Sequence, residues 1–176
     1  MQDALLVVDV QVDFCEGGAL TAYDTESLID TVNGLTENYT RENRLVIFSR
    51  DWHPENHCSF KPQGGVWPVH CVTGTPGAAF HPRLYLPACH LVVSKATRPE
   101  VEAYSAFDGT GLKELLDRLG VRSLALCGIA TEYCVLASYE DAVKAGFAVT
   151  VNRSAVRPVK PGNQEEEEAL RAFAGE

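Results

Sequence analysis

Short runs of apolar, often β-branched residues recur along the chain, and longer amphipathic stretches separate them. The runs predict strands at Ala4–Val10, Leu45–Ser49, Leu91–Ser94, Ser123–Cys127 and Ala148–Asn152. Each is nearly continuous in its apolar character, as strands covered on both faces require. The stretches between them carry helical spacing near Thr25–Tyr39, Gly111–Leu119, Glu132–Ala145 and Asn163–Ala174. Gly109 or Thr110 can open the second of these helices, and Gly120 and Gly146 follow the second and third where a terminating glycine belongs. Alternation of strand and helix predicts an α/β fold, Rossmann-like, with a mainly parallel sheet and helices on both faces. No repeat or low-complexity linker divides the chain, so residues 1–176 are expected to form a single domain. The segment from Arg50 to Pro87 breaks the alternation. It is rich in His, Pro and Gly, and its two Trp and several Phe residues argue against disorder. A loop of that length inside a compact domain is usually functional.

Bulk properties narrow the function classes. A formal charge of −9 with no basic stripe excludes a nucleic-acid surface. No apolar stretch approaches the roughly 18 residues of a membrane span. The run Ala4-Leu5-Leu6-Val7-Val8 lacks a basic leader and ends in Asp9, so it reads as a core strand and implies a cytoplasmic protein. The cysteines Cys15, Cys58, Cys71, Cys89, Cys127 and Cys134 include no C-x-x-C pair and are expected to be free thiols. The acidic run Glu165 to Glu168 reads as a solvated helix face. A homo-oligomer is compatible with all of this.

In parallel α/β sheets, ligands bind at the carboxyl ends of the strands. Asp9, Asp51, Lys95 and Cys134 all fall at such ends. Cys134 opens a helix after the turn Gly128-Ile129-Ala130, where the helix dipole and a nearby lysine would both favour thiolate over thiol. A carboxylate beside it could shuttle the thiol proton to a leaving group, although Asp9 alone fits a turn cap equally well. A second constellation, Asp51-x-His53 with His57 and the later His70, suits a divalent cation such as Zn, Fe or Mn. His81 and His90 read as structural.

These residues, in this order, resemble the nicotinamidase branch of the isochorismatase-like hydrolases over nearly the whole chain. The resemblance is carried by Val8-Asp9-Val10-Gln11-Val12-Asp13-Phe14, by Ser49 to Phe60 (including Arg50-Asp51-Trp52-His53-Pro54), and by Trp67 to Ala78. It continues through Lys95, Tyr104-Ser105-Ala106-Phe107 and Gly128-Ile129-Ala130-Thr131-Glu132-Tyr133-Cys134-Val135. It implies a triad of Asp9, Lys95 and Cys134, with the N–H groups of Ala130 and Cys134 as oxyanion hole and a cis peptide at Ile129–Ala130. It also implies one divalent metal, Zn before Fe or Mn, on Asp51, His53 and His70. His57 is a further ligand in some members and not in others. Phe14 and Trp67 would flank the substrate ring, with Ile129 and Ala130 beside it. The activity implied is hydrolysis of nicotinamide, and of related carboxamides such as pyrazinamide, through a thioester. A sister hydrolase acting on another small amide, a carbamoyl group or an enol ether is the nearest alternative. A silent binding domain or a metal-hydroxide hydrolase stands further off.

Overall fold

A computed structural model describes residues 3–175. Five parallel strands form one sheet in the order β3-β2-β1-β4-β5, with β1 at Ala4–Val8, β2 at Leu45–Asp51, β3 at Leu91–Lys95, β4 at Ser123–Ile129 and β5 at Ala148–Arg157. The central strand alternates between two cores, as the two-residue period of a strand requires. Leu5 and Val7 face Leu28, Ile29 and Val32 of helix α1 (Thr25–Arg41), together with Val46 and Phe48. Ala4, Leu6 and Val8 face Leu112 and Leu116 of α2 (Leu112–Arg118) and Ala142 of α3 (Leu136–Lys144). A last helix, α4, spans Gln164–Ala174 and is capped by Asn163, whose side chain accepts from the Glu166 N–H. Each fully buried Leu or Ile on these faces contributes about 1.5–3 kcal/mol relative to exposure. Among the described residues, no helix is long and apolar enough to cross a membrane.

The departures from the expected boundaries lie at the strand ends. β1 stops at Val8, two residues early, because Asp9 adopts φ +50 and turns the chain out of the sheet. Lys95 does not follow β3; it is its last residue, in register with Asp51 of β2. β5 extends to Arg157, through polar Arg153 and Ser154 that an edge strand can expose. The expected helix Glu132–Ala145 begins instead with a π-helical turn at Thr131–Val135. Where β4 passes β1, Gly128 has φ +119, and a Cβ there would fall 2.1 Å from the Val8 carbonyl oxygen. Only glycine allows that approach, and it lies one residue before the turn at Asp9.

The irregular segment after β2 is pinned without long elements. His53 pairs with Val72 and Phe60 with Trp67 as isolated bridges, and short 3-10 turns occupy Lys61–Gln63 and Pro76–Ala78. Phe60 is fully buried, with the rings of His53, His57 and His70 around it.

Candidate active site

Asp9, Lys95 and Cys134 meet at the carboxyl end of the sheet, brought from beside the ends of three strands and 39 to 125 residues apart in sequence. The Lys95 ammonium lies 2.9 Å from Asp9 Oδ2 and 3.4 Å from Cys134 Sγ, and it also pairs with Asp51 and donates to the Ala103 carbonyl at 3.3 Å. Ser49 Oγ donates to the other oxygen of Asp9 at 2.6 Å. All three side chains are withdrawn from solvent.

Burial shapes their charges. It would by itself disfavour the Lys95 ammonium, but Asp51, Asp9 and Cys134 overcome it and raise the Lys95 pKa well above the usual value. Burial likewise opposes the Asp51 carboxylate, but the Lys95 ammonium outweighs it and holds the pKa well below the usual range. Desolvation pushes the Asp9 carboxyl up despite Lys95. Cys134 corrects an expectation: burial, reinforced by Asp9 and Asp51, raises its pKa well above normal despite Lys95. The lysine's charge is already engaged by two carboxylates, so burial outweighs the helix start and the cation and favours the thiol. Asp9 stands beside that thiol.

Next to this group, His53 Nε2 lies 3.4 Å and His70 Nε2 3.9 Å from Asp51 Oδ2. Each imidazole turns its other nitrogen to a backbone carbonyl, His53 Nδ1 to Ala96 at 3.3 Å and His70 Nδ1 to Pro68 at 2.7 Å. That anchoring puts the proton on Nδ1 and leaves the Nε2 lone pair free, as in metal-bound histidines. Burial holds the His70 pKa below its usual value, which keeps the ring neutral. His53 Nε2 is buried without a hydrogen-bond partner. Donor atoms of Asp51, His53 and His70 all lie within 4.8 Å of one another, as do those of Asp9, Asp51 and Cys134. The Lys95 ammonium pairs with both carboxylates of the second trio, whereas in the first it meets only Asp51, through Oδ1. The other oxygen of Asp51, Oδ2, faces the two imidazole nitrogens, and that carboxylate oxygen with two free imidazole nitrogens fits a divalent metal.

His57 does not join that trio. Its Nε2–H donates to the Val101 carbonyl at 3.1 Å and its Nδ1 lies 2.7 Å from Ser59 Oγ, so both nitrogens are spent. The ring packs on His53 with centroids 4.2 Å apart and serves as a wall behind the candidate ligand.

A pocket opens above these groups. Cys134, Asp51, His53 and His70 reach it, and Phe14, Leu20, Trp67, Tyr104, Ile129, Ala130 and Tyr133 line it. Trp67 Nε1 donates to Tyr104 Oη at 2.9 Å, and its ring meets Tyr133 edge-on at 5.1 Å. The Ile129–Ala130 peptide is cis, at the position the resemblance implies. The Ala130 carbonyl accepts from the N–H groups of Tyr133 and Val135, passing over that of Cys134.

Several contributors were not singled out by sequence reasoning. Gln11 holds Asp51 from both sides: its Nε2 donates to the Asp51 carbonyl at 2.8 Å and its Oε1 accepts from the Asp51 N–H at 2.7 Å. Ser49 orients Asp9, and Leu20, Tyr133, Glu102 and Val159 join the pocket wall. Gln11 and Tyr133 lie inside the motifs that carry the resemblance. Nothing local marks Leu20 or Val159.

Residues 3–174 match the sequence model of the isochorismatase domain. The chain belongs to the isochorismatase family. It is 37% identical over 191 residues to a nicotinamidase of Escherichia coli K12, covering 97% of this chain and 88% of that protein. In three dimensions it is similar to the pyrazinamidase of Pyrococcus horikoshii in complex with zinc, with TM-score 0.94 and 46% identity over 99% of this chain and 96% of the other. It is also similar to PnC1 from L. infantum in complex with nicotinate, with TM-score 0.89 and 34% identity over 99% and 89% of the two chains.

Proposed function

We propose that this protein is a metal-dependent cysteine amidohydrolase that converts nicotinamide, and related carboxamides such as pyrazinamide, to the acid and ammonia. The observation that carries the reading is the juxtaposition in one aromatic-walled pocket of a thiol beside a buried Asp–Lys pair and of an Asp–His–His trio. The relatives named above act on or hold such ring compounds, which supports the substrate class.

Cys134 Sγ attacks the amide carbon as its proton passes to Asp9. The N–H groups of Ala130 and Cys134 stabilise the oxyanion that forms. Asp9 then gives the proton to the amide nitrogen, the C–N bond breaks and ammonia leaves, with the acyl group on sulfur. Water attacks the thioester while Asp9 takes one of its protons. The C–S bond breaks, and Asp9 returns that proton to the sulfur as the acid departs. Lys95 favours the ionised form of Asp9 against its burial and offsets the negative charge that grows on sulfur and oxygen. Phe14 and Trp67 hold the ring of the substrate and exclude water from it.

Asp51, His53 and His70 would hold the metal, which supplies a Lewis-acidic contact for the lone pair of the substrate's ring nitrogen and so orients the carboxamide toward Cys134. One carboxylate and two imidazoles suit Zn, the ion named for the P. horikoshii structure, and also admit Fe or Mn. Ammonia release from nicotinamide, measured on metal-replete protein and on Cys134→Ala, tests the reading. Turnover by the replete protein alone is expected. Failure to turn over nicotinamide, with turnover of a carbamoyl or non-aromatic amide, would replace it with the sister-hydrolase reading.

A further inference from the structure

Asp13 lies in the 3-10 turn Val12–Phe14, away from the Asp9–Lys95–Cys134 group and outside the trio of candidate ligands. Its carboxylate is nonetheless turned toward the loop that carries His70. Oδ2 accepts the Cys71 N–H at 2.7 Å, and Oδ1 accepts the Ala19 N–H at 3.4 Å. The Asp13 carbonyl accepts from Leu20 at 2.9 Å, which ties the turn to a residue of the pocket wall.

Cys71 needs such a hold. It has φ +46, a left-handed conformation that a non-glycine residue adopts only when its surroundings impose it. The peptide whose N–H is bound follows His70 directly, so the bond fixes the backbone from which that imidazole projects. His70 is held from two other sides, by the Pro68 carbonyl at Nδ1 and by the ring of Phe14 at 5.5 Å, and Phe14 is the neighbour of Asp13.

Gly77 completes the arrangement. It sits in the 3-10 turn Pro76–Ala78, and a Cβ on it would fall 2.1 Å from Asp13 Oδ2, with the rest of the carboxylate as its nearest other atoms. Its φ is not in the left-handed region, so alanine suits the backbone there. What excludes a side chain is the Asp13 carboxylate itself.

We propose that Asp13 is a positioning residue of the metal centre: through the Cys71 N–H it sets the backbone that presents His70, and Gly77 supplies the space its carboxylate occupies. The inference rests on the reading of Asp51, His53 and His70 as ligands. Outer partners of metal ligands typically contribute about 10- to 100-fold in affinity. The role needs both the carboxylate's charge and its place, and the two can be separated by substitution.

The test titrates Co²⁺ into chelator-stripped protein against a chromophoric competitor, and records the Co²⁺ absorption spectrum of each variant. Asp13→Ala and Gly77→Ala should each weaken Co²⁺ binding about 10- to 100-fold and change the spectrum. Asp13→Asn, which keeps an acceptor oxygen, should lie between them and the unaltered protein. In the double variant the alanine at Gly77 no longer meets a carboxylate, so its affinity should match that of Asp13→Ala alone. Circular dichroism of the metal-free proteins separates these effects from unfolding. If Asp13→Ala does not fold, Gly77→Ala and Asp13→Asn decide the matter. Unaltered affinity in Gly77→Ala, or losses that add in the double variant, would overturn the proposal. So would Asp13→Asn as weak as Asp13→Ala beside an unaffected Gly77→Ala, because charge alone would then explain the effect. An unaltered protein that binds no Co²⁺ would overturn the metal reading itself, and this inference with it.

Discussion

The ammonium of Lys95 stands 2.9 Å from the carboxylate of Asp9, and neither side chain has any contact with solvent. With Asp51 on its other side, that lysine is ion-paired to two buried acids at once. Removing one partner from a buried ion pair strands the other at a cost of about 3–5 kcal/mol. Lys95→Met should therefore destabilise the fold by about that amount at neutral pH. The loss should shrink in acid, where Asp9 and Asp51 in the variant can take up protons. Urea unfolding of both proteins at several pH values checks this, and a loss independent of pH would count against it.

Cys134 and Asp9 have different kinetic weights in the proposed reaction. Cys134→Ala removes the nucleophile and should lower kcat by at least about 10³-fold, because no other group can form the acyl intermediate. Asp9→Asn retains the thiol but not its proton acceptor, and should lower kcat by roughly 10²- to 10⁴-fold. Steady-state ammonia release measures both, and substantial turnover by Cys134→Ala would point to hydrolysis without a thioester.

His70 and His57 separate ligand from wall. His70→Ala should weaken metal binding by more than about 100-fold, beyond the effect of an outer partner. His57→Ala should leave binding nearly intact and instead cost about 1–3 kcal/mol of stability, since it strands the Val101 carbonyl and the Ser59 hydroxyl. Metal titration beside thermal unfolding distinguishes the two. Equal losses of affinity would restore His57 to the coordination sphere.

Glu132 gives the fold a pH dependence of known sign. Its carboxyl is buried, accepts from the Val159 N–H at 2.9 Å, and leaves Oε2 without a partner, so burial raises its pKa above the ordinary 4.5. A raised acid binds its proton more tightly when folded. Its contribution to stability is therefore complete below pH 4.5 and is lost as pH rises through the folded value. Glu132→Gln cannot titrate there, so its stability relative to the unaltered protein should grow from acid toward neutral pH. Parallel unfolding curves across that range are the check, and a constant difference would sink the assignment.

Strand and helix order were legible in the apolar periodicity because a strand covered on both faces must be apolar throughout, and β1 is so from Ala4 to Val8. The placing of Asp9, Asp51, Lys95 and Cys134 at strand ends followed from the same pattern. Boundaries were misread where backbone conformation, not side-chain polarity, decided them, as at Asp9 with its positive φ. The π turn at Thr131–Val135 ahead of helix α3 was likewise hidden, since a π turn and an α turn share the same residue types.

By itself, then, the amino-acid order determined which segments are strands, which residues stand at their carboxyl ends, and which motifs they share with a family. Tertiary structure alone decided the distances, because residues as far apart as Asp9 and Cys134 meet only through the strand order and the register that sets Asp51 opposite Lys95. It also decided the charges. The helix start and the lysine suggested a thiolate at Cys134, but desolvation and the two acids already paired with Lys95 favour the thiol. And it left His57 outside the trio and set Asp13 on the Cys71 N–H and Gln11 on that of Asp51, since hydrogen bonds between distant loops leave no trace in local pattern.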